Sequence, residues 1–126
     1  MKAVIITDGT ELIQSTALLI KESLNGYKVN ICCAEGFEGT ELLPSDVFFI
    51  GCESPSPKSF SWLEDLLSHI NLASRKCGIF SAKVKSIKYL RTILKSCEAD
   101  ISELEIDENG KVKKSDIKKL FKEMKI

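Results

Sequence analysis

The sequence predicts an α/β protein in which five parallel strands form one doubly wound sheet, in the order 2-1-3-4-5, with helices in a layer on each face. Apolar runs of strand length alternate with segments of helical periodicity, and strands joined through helices pair in parallel. The run DVFFIGC, residues 46–52, is apolar enough to be buried on both faces. The 126 residues, 44% of them hydrophobic, suffice for one core, and we expect a single domain over residues 1–126.

The first half of the chain contains three strands but only one complete helix. The predicted elements are a strand at 3–7, a helix carrying apolar residues from Leu12 to Leu24, a strand at 27–33 and a strand at 46–52. Asn25-Gly26 ends the helix. The segment AEGFEGTELLPS, which joins the second and third strands, has two glycines and a proline, so the second helix of the regular pattern is shortened or missing.

The second half continues the alternation of helix and strand. The predicted elements are a helix with apolar residues from Phe60 to Ile70, a strand at 76–82, a helix from Ile87 to Cys97, a strand at 102–106, a turn at 107–110 and a last helix through Met124. We expect one of Ser56, Ser59 and Ser61 to cap the first of these helices. Ser115 is the expected N-cap of the last helix.

Composition excludes several classes of protein. No stretch approaches the roughly 20 apolar residues needed to cross a bilayer. The N-terminus MKAVIITDGT is too short in apolar residues for a secretory signal, so we expect a cytoplasmic protein. The five cysteines form no CxxC pair and lie mostly in apolar runs, where we expect reduced thiols in the core or at strand ends.

Charge is distributed unevenly along the chain. Residues 1–75 carry 5 basic and 10 acidic side chains, whereas residues 76–126 carry 13 and 8. A solvated helix face accounts for most lysine excesses of this kind, but a basic face also suits an acidic partner or a phosphate. Neither nucleic acid nor a membrane is an expected partner.

A doubly wound sheet binds its ligand beyond the carboxyl ends of the strands, where the winding reverses. The turns to consider are therefore residues 7–11, 52–59 and 81–86. The first turn, TDGTE, offers two hydroxyl groups and the free N–H groups of a helix start, which attract an anion. The same residue types also form an ordinary N-cap, and Asp8 would repel a phosphate unless it points away.

Strand, TDGTE and helix together resemble the phosphate loop TGNTE of flavodoxins, which hold flavin mononucleotide (FMN). DVFFIGCES resembles the third strand of that family, and LEIDENGKVKKSDIKKLFKEM resembles its closing strand, turn and helix. The resemblance implies an FMN-binding electron carrier that passes electrons to a redox partner protein, with Thr7 and Thr10 on the phosphate and Ser54 near the ribityl chain or ring. The expected cofactor-binding residues are Thr7, Asp8, Gly9, Thr10, Glu11, Cys52, Glu53, Ser54, Ser81 and Ala82.

The chain departs from the family where the flavin ring would lie. Pro55 stands where flavodoxins carry an aromatic residue, and Ile87 where they carry a tyrosine, with Tyr89 two positions further on. Phe60 and Trp62 could replace the missing aromatic, but their spacing favours the helix core. Three lysines, Lys83, Lys85 and Lys88, also replace acidic surroundings. The alternative is a flavodoxin-fold binding or regulatory module that has lost the flavin and acts through its basic C-terminal half.

A degenerate receiver domain is the third interpretation. Receivers share the topology and need acidic residues after the first strand and an aspartate at the end of the third. Asp8 and Ser81 fit that pattern, but the phosphoacceptor position is Gly51, followed by Cys52 and Glu53. No catalytic residue, nucleophilic triad or metal-ligand spacing is present in the sequence, so we expect no substrate reaction of its own. Cys52 is the one thiol at the predicted site worth testing for reactivity.

Overall fold

A computed structural model describes residues 1–107, 109–110 and 112–126. Five parallel strands form one sheet in the order β2-β1-β3-β4-β5, which confirms the predicted topology. The elements are β1 (Lys2–Thr7), α1 (Glu11–Ser23), β2 (Lys28–Cys33), β3 (Val47–Gly51), a 3₁₀ turn (Lys58–Phe60), α2 (Ser61–Ser68), β4 (Lys76–Ser81), α3 (Val84–Lys95), β5 (Asp100–Glu105) and α4 (Lys114–Met124). Glu108 of the predicted turn at 107–110 lies outside the described residues, as does Lys111.

The central strand β3 divides the core into two parts. All five of its residues are buried, because parallel strands covered by helices on both faces have no solvated side. Phe48 and Ile50 pack with α2 and α3 on one face of the sheet. Val47 and Phe49 pack with α1 and α4 on the other. The period-2 alternation of the strand thus gives both helix layers aromatic and aliphatic partners.

The connection between β2 and β3 contains turns in place of a helix, as its glycines and proline predict. Ala34, Phe37 and Leu42 are buried and fill part of the space beneath this segment. Gly39 lies so close to the Leu66 side chain that a Cβ there would be 2.5 Å from a Leu66 methyl carbon. The segment is therefore packed directly against α2.

Helix starts and strand ends differ from several sequence predictions. No serine side chain caps α2, which continues directly from the 3₁₀ turn with Phe60 at the N-cap position. The N-cap of α4 is Lys113, two residues before Ser115, and its N–H donates to Asp116 Oδ2 (3.2 Å). Strand β5 begins at Asp100, two residues before the predicted start, because Asp100 pairs with Lys76 of β4.

The prediction that Phe60 and Trp62 both lie in the core is confirmed for Phe60 and wrong for Trp62. Phe60 is fully buried, whereas Trp62 is 58% exposed. Leu63 and Leu67 define the buried face of α2 with Phe60, and Trp62 projects away from that face. The helical stripe alone did not distinguish these two neighbouring aromatics.

Two glycines give space to two phenylalanines on the α1/α4 side of the sheet. Gly51 pairs in register with Phe80, and Phe49 pairs with Gly78. A Cβ on Gly51 would lie 2.3 Å from a ring carbon of Phe80, and one on Gly78 would lie 2.6 Å from the ring of Phe49. Each large ring therefore covers the backbone of the neighbouring strand, which only glycine permits at this distance.

Gly51→Ala is expected to destabilise the protein by about 1–3 kcal/mol, because the added methyl overlaps the Phe80 ring. Urea unfolding of Gly51→Ala, Phe80→Leu and the double variant measures this overlap. The double variant should lose less stability than the sum of the two single changes, since the smaller side chain relieves the clash. Additive losses, or an unchanged Gly51→Ala, would contradict the packing described here.

Candidate functional site

Three loops meet at the carboxyl edge of β1, β3 and β4. The first, residues 8–10, joins β1 to α1, the second, residues 52–57, precedes the 3₁₀ turn, and the third, residues 82–83, joins β4 to α3. Because β1 and β3 are neighbours whose connections leave in opposite directions, this is the point at which a doubly wound sheet opens a crevice.

The first loop is held by its own side chains. The Thr7 hydroxyl is buried, donates to Gln14 Oε1 (3.0 Å) and accepts the Gly9 N–H (3.3 Å). Gly9 has a φ of +82°, a conformation that costs glycine little. The turn therefore closes on the Thr7 hydroxyl, which points back to α1.

Asp8 connects the first loop to the second. One carboxylate oxygen, Oδ1, accepts the N–H (3.0 Å) and the hydroxyl (2.6 Å) of Thr10. The other, Oδ2, accepts the N–H of Glu53 (2.7 Å), which is 45 residues away in sequence. The Asp8 carboxylate thus accepts three hydrogen bonds from groups that face the crevice.

The backbone of Glu53 is bonded on both sides. Its N–H donates to Asp8, and its carbonyl oxygen accepts the hydroxyl of Ser86 on α3 (2.9 Å). Ser86 is buried, and sequence reasoning did not single it out. The sequence contained one signal for this role, a serine at an inward position of an amphipathic helix near the edge of the sheet. Asp8, Glu53 and Ser86 together join all three elements that border the crevice.

The third loop consists of Ala82 and Lys83 alone. Ser81 is buried, and its side-chain oxygen accepts the Lys83 N–H (3.2 Å), so this hydroxyl is used within the turn. Ala82 is partly buried and packs against the core on the α1/α4 side. The short connection leads directly into α3 and leaves little chain to surround a ligand.

Tyr89 is engaged beside the second loop. Its hydroxyl donates to a carboxylate oxygen of Glu64 on α2, and its ring centroid lies 6.3 Å from that of Phe60. Burial, followed by the neighbouring Glu64, raises the pKa of the Tyr89 hydroxyl well above its usual range. The tyrosine joins α3 to α2 and remains protonated.

The predicted site residues fall into two groups. Asp8, Thr10 and Glu53 are brought together by direct hydrogen bonds, and Thr7 and Gly9 complete the same turn. The remaining five are Glu11, which is exposed at the start of α1, Cys52, Ser54, which is exposed, Ser81 and Ala82. Glu11 and Glu53 both line an open depression on the α1 side, which adds negative charge there.

Cys52 is buried directly after β3. Desolvation, and to a smaller extent the charge of Asp8, raise the pKa of its thiol to about 12. Since the thiolate is the reactive form, this position suits an inert thiol at neutral pH. All five cysteines are free, and three of them, Cys52, Cys77 and Cys97, are buried.

Gly51 is the residue that the receiver interpretation assigns to the phosphoacceptor position. The Phe80 ring lies against this glycine, so a carboxylate side chain does not fit there without displacing the ring. Within the described part of the chain, no group of three or more His, Cys, Asp and Glu side chains is arranged to hold a metal ion. No helix among the described residues is long and apolar enough to span a membrane.

Several solved flavodoxins share this architecture over nearly the whole chain. A short-chain flavodoxin associated with a non-canonical PDU bacterial microcompartment has 15% sequence identity and a TM-score of 0.80, with 99% of this chain and 95% of that chain covered. A flavodoxin from Streptococcus pneumoniae TIGR4 has 14% identity and a TM-score of 0.73, covering 99% and 96%. Oxidised flavodoxin 2 from Bacillus cereus has 22% identity and a TM-score of 0.74, covering 98% and 95%.

The sequence matches no protein-family model and no curated protein. The likeness therefore rests on the backbone, and it establishes that this chain has a flavodoxin-like fold of the short-chain type. The predicted resemblance is confirmed at that level. Which ligand the site takes depends on the side chains described above, because one fold supports different sites.

The environment of Cys52 predicts a marked difference in reactivity between two thiols. Cys33 is exposed, whereas Cys52 is buried with a pKa of about 12. Because burial raises the pKa of Cys52 well above that of a free thiol, very little of it is ionised at pH 8. A short iodoacetamide pulse followed by peptide mass spectrometry should therefore label Cys33 first.

A Cys33→Ser variant provides the control, because it should remove the fast label without raising labelling at Cys52. Rapid alkylation of Cys52 in the folded protein at pH 7–8 would contradict this account and indicate an activated thiol.

Proposed function

We propose that this protein is a flavodoxin-fold binding module that does not carry FMN and acts by docking a partner protein. The observation that carries the proposal is the position of the Asp8 carboxylate. It accepts the N–H groups of Thr10 and Glu53 and the Thr10 hydroxyl, and so places a negative charge at the start of α1, where a phosphate would have to bind. The anion at this site is therefore the Asp8 side chain of the protein itself.

Electrostatics oppose a second anion at the same place. Two unit charges about 4 Å apart repel by about 4 kcal/mol at the effective dielectric constant near a protein surface. Glu11 and Glu53 border the adjacent depression and add to this repulsion. A phosphate dianion would have to displace Asp8 and then remain beside two further carboxylates. The residues present therefore do not fit the phosphate end of FMN.

The ring end of FMN also lacks suitable contacts. The second loop carries Pro55 and Pro57 in place of an aromatic side chain, and the third loop has only two residues. Tyr89 is bonded to Glu64 and packed near Phe60. Aromatic pairs contribute about 0.5–1.5 kcal/mol beyond area burial, and none of the described residues in the three loops is aromatic.

A protein-docking role agrees with the remaining features of the chain. The loops at the crevice are joined into one unit by Asp8 and Ser86, which gives a preorganised surface. The second half of the chain is basic. Free cysteines suit the reducing cytoplasm in which we place this module.

The second candidate is an FMN-dependent electron carrier. It is favoured by the start of α1, where no side chain in the described part of the chain caps the helix and the N–H groups of its first turn can bind an anion. The named structural neighbours are flavodoxins. In this alternative, Asp8 swings away from its donors when the phosphate enters, and the first two loops separate.

Purified protein is expected to be colourless and to bind FMN with a Kd weaker than about 0.1 mM in a fluorescence titration. Asp8→Ala should strengthen FMN binding about tenfold, because it removes the resident anion and frees its donors. Glu22→Ala is the matched control for net charge, since Glu22 is exposed near the far end of α1 and does not line the depression beside the crevice.

The electron-carrier alternative makes opposite predictions. Flavin absorbance bands in the freshly purified protein, or micromolar FMN binding by the wild type, would contradict the proposed module. Weaker binding in Asp8→Ala than in the wild type would show that Asp8 supports the flavin site instead of filling it.

A further inference from the structure

Helix α3 has only cationic charges on its surface. Lys85, Lys88, Arg91 and Lys95 are all exposed, and the helix contains no aspartate or glutamate. We call these four residues the basic face. Among the described residues, Arg91 alone of the four forms a salt bridge, with Glu103 of β5 (2.7 Å). Lys83, at the N-cap position, extends the positive charge toward the crevice.

This arrangement opposes helix stability. Lys85 and Lys88 are three residues apart, as are Lys88 and Arg91, and like charges at that spacing repel each other. Lys83 and Lys85 also lie at the positive end of the helix dipole, where acidic residues are stabilising and none is present in the first turn. Helix α4, by contrast, has Asp116 in its first turn. Apart from the Arg91–Glu103 pair, the charge on α3 is therefore unfavourable for the helix alone.

An open groove follows the basic face. It has a volume of about 620 Å³ and runs between α3 and the edge strand β5. Lys88, Arg91 and Lys95 line one side, and the partly buried apolar residues Ala99 and Ile101 contribute to its surface. A groove of this type accommodates an apolar side chain whose neighbours are acidic.

We propose that the basic face and this groove bind an acidic protein segment that inserts an apolar side chain against Ile101. The inference rests on the proposed binding function and names its surface and partner class. Lys85, Lys88 and Lys95 pair with carboxylates of the segment, while the apolar side chain removes Ala99 and Ile101 from water.

The surroundings of the groove favour a protein over other anionic partners. Glu103 and Glu105 lie on β5 on the α3 side of the sheet and repel a continuous line of phosphates, whereas a peptide can place uncharged residues beside them. The whole chain has a formal net charge of +0, unlike the strongly basic domains typical of nucleic-acid binding. A membrane surface needs an apolar stripe, whereas the one large exposed apolar residue on α3 is Val84.

The test uses a labelled synthetic peptide that alternates Glu with Leu, titrated with flavin-free protein and followed by fluorescence anisotropy at low salt. Lys88→Glu/Lys95→Glu should weaken binding about tenfold or more, because two favourable charge interactions become repulsive. Lys118→Glu/Lys122→Glu on α4 is the matched control, since it makes the same change in net charge on exposed lysines elsewhere. The control should weaken binding less than about threefold.

A second readout locates the contact. Backbone amide shifts on adding the Glu-Leu peptide should concentrate at α3, Ala99 and Ile101, and a Glu-Ser peptide should bind less tightly because it lacks the apolar anchor.

Equal losses in the two reversal variants would overturn the proposal, as would shifts centred on another surface. Tighter binding of a single-stranded oligonucleotide than of the peptide would also overturn it. Self-association through the basic face, detected by sedimentation, would overturn it as well. These results are separate from the FMN titration. A protein that binds FMN but loses peptide binding only on reversal of Lys88 and Lys95 would refute the flavin-free module and leave this docking surface intact.

Discussion

The site depends on the way in which the backbone of Glu53 is held. Asp8 accepts its N–H at 2.7 Å, and Ser86 donates to its carbonyl at 2.9 Å. Hydrogen bonds to an ionised carboxylate contribute more than neutral ones, and a broken bond leaves a partly buried donor without a partner. The loop after β3 is consequently fixed to both the loop before α1 and α3 itself. A ligand at this edge therefore meets a joined surface in which the N–H groups of Thr10 and Glu53 and the Thr10 hydroxyl already bond to Asp8.

Fold and ligand site obey different constraints in this chain. The sheet needs a fully buried β3 and the glycines that let Phe49 and Phe80 cover neighbouring strands. The side chains of these residues pack in the core and form none of the hydrogen bonds described at the crevice. The crevice depends on a few loop side chains and on the length of two connections. Changes there cost the core little, so a flavodoxin-like backbone is compatible with the loss of its flavin and with a new docking role for α3.

Much of the fold was predictable because it follows from periodicity. The parallel order, the missing second helix and the buried third strand can all be derived from apolar patterns and from the Gly/Pro content of residues 34–45. The exposure of Trp62 was not predictable, since a helical stripe does not decide between neighbouring aromatics at its margin. The hydrogen bond between Asp8 and Glu53 joins residues that are 45 positions apart, and Ser86 bonds to the backbone carbonyl group of Glu53. Neither contact is therefore marked by a local sequence motif.

The most direct test of the central claim compares the amide protons of Glu53 and Thr10 by ¹H–¹⁵N NMR in the wild type and in Asp8→Ala at one neutral pH. If one carboxylate accepts both N–H groups, both signals move upfield and both protons exchange faster with solvent when the carboxylate is removed. A Glu53 amide that stays unchanged in Asp8→Ala while the Thr10 amide moves would contradict the joined loops and leave the Glu53 N–H free for another anion.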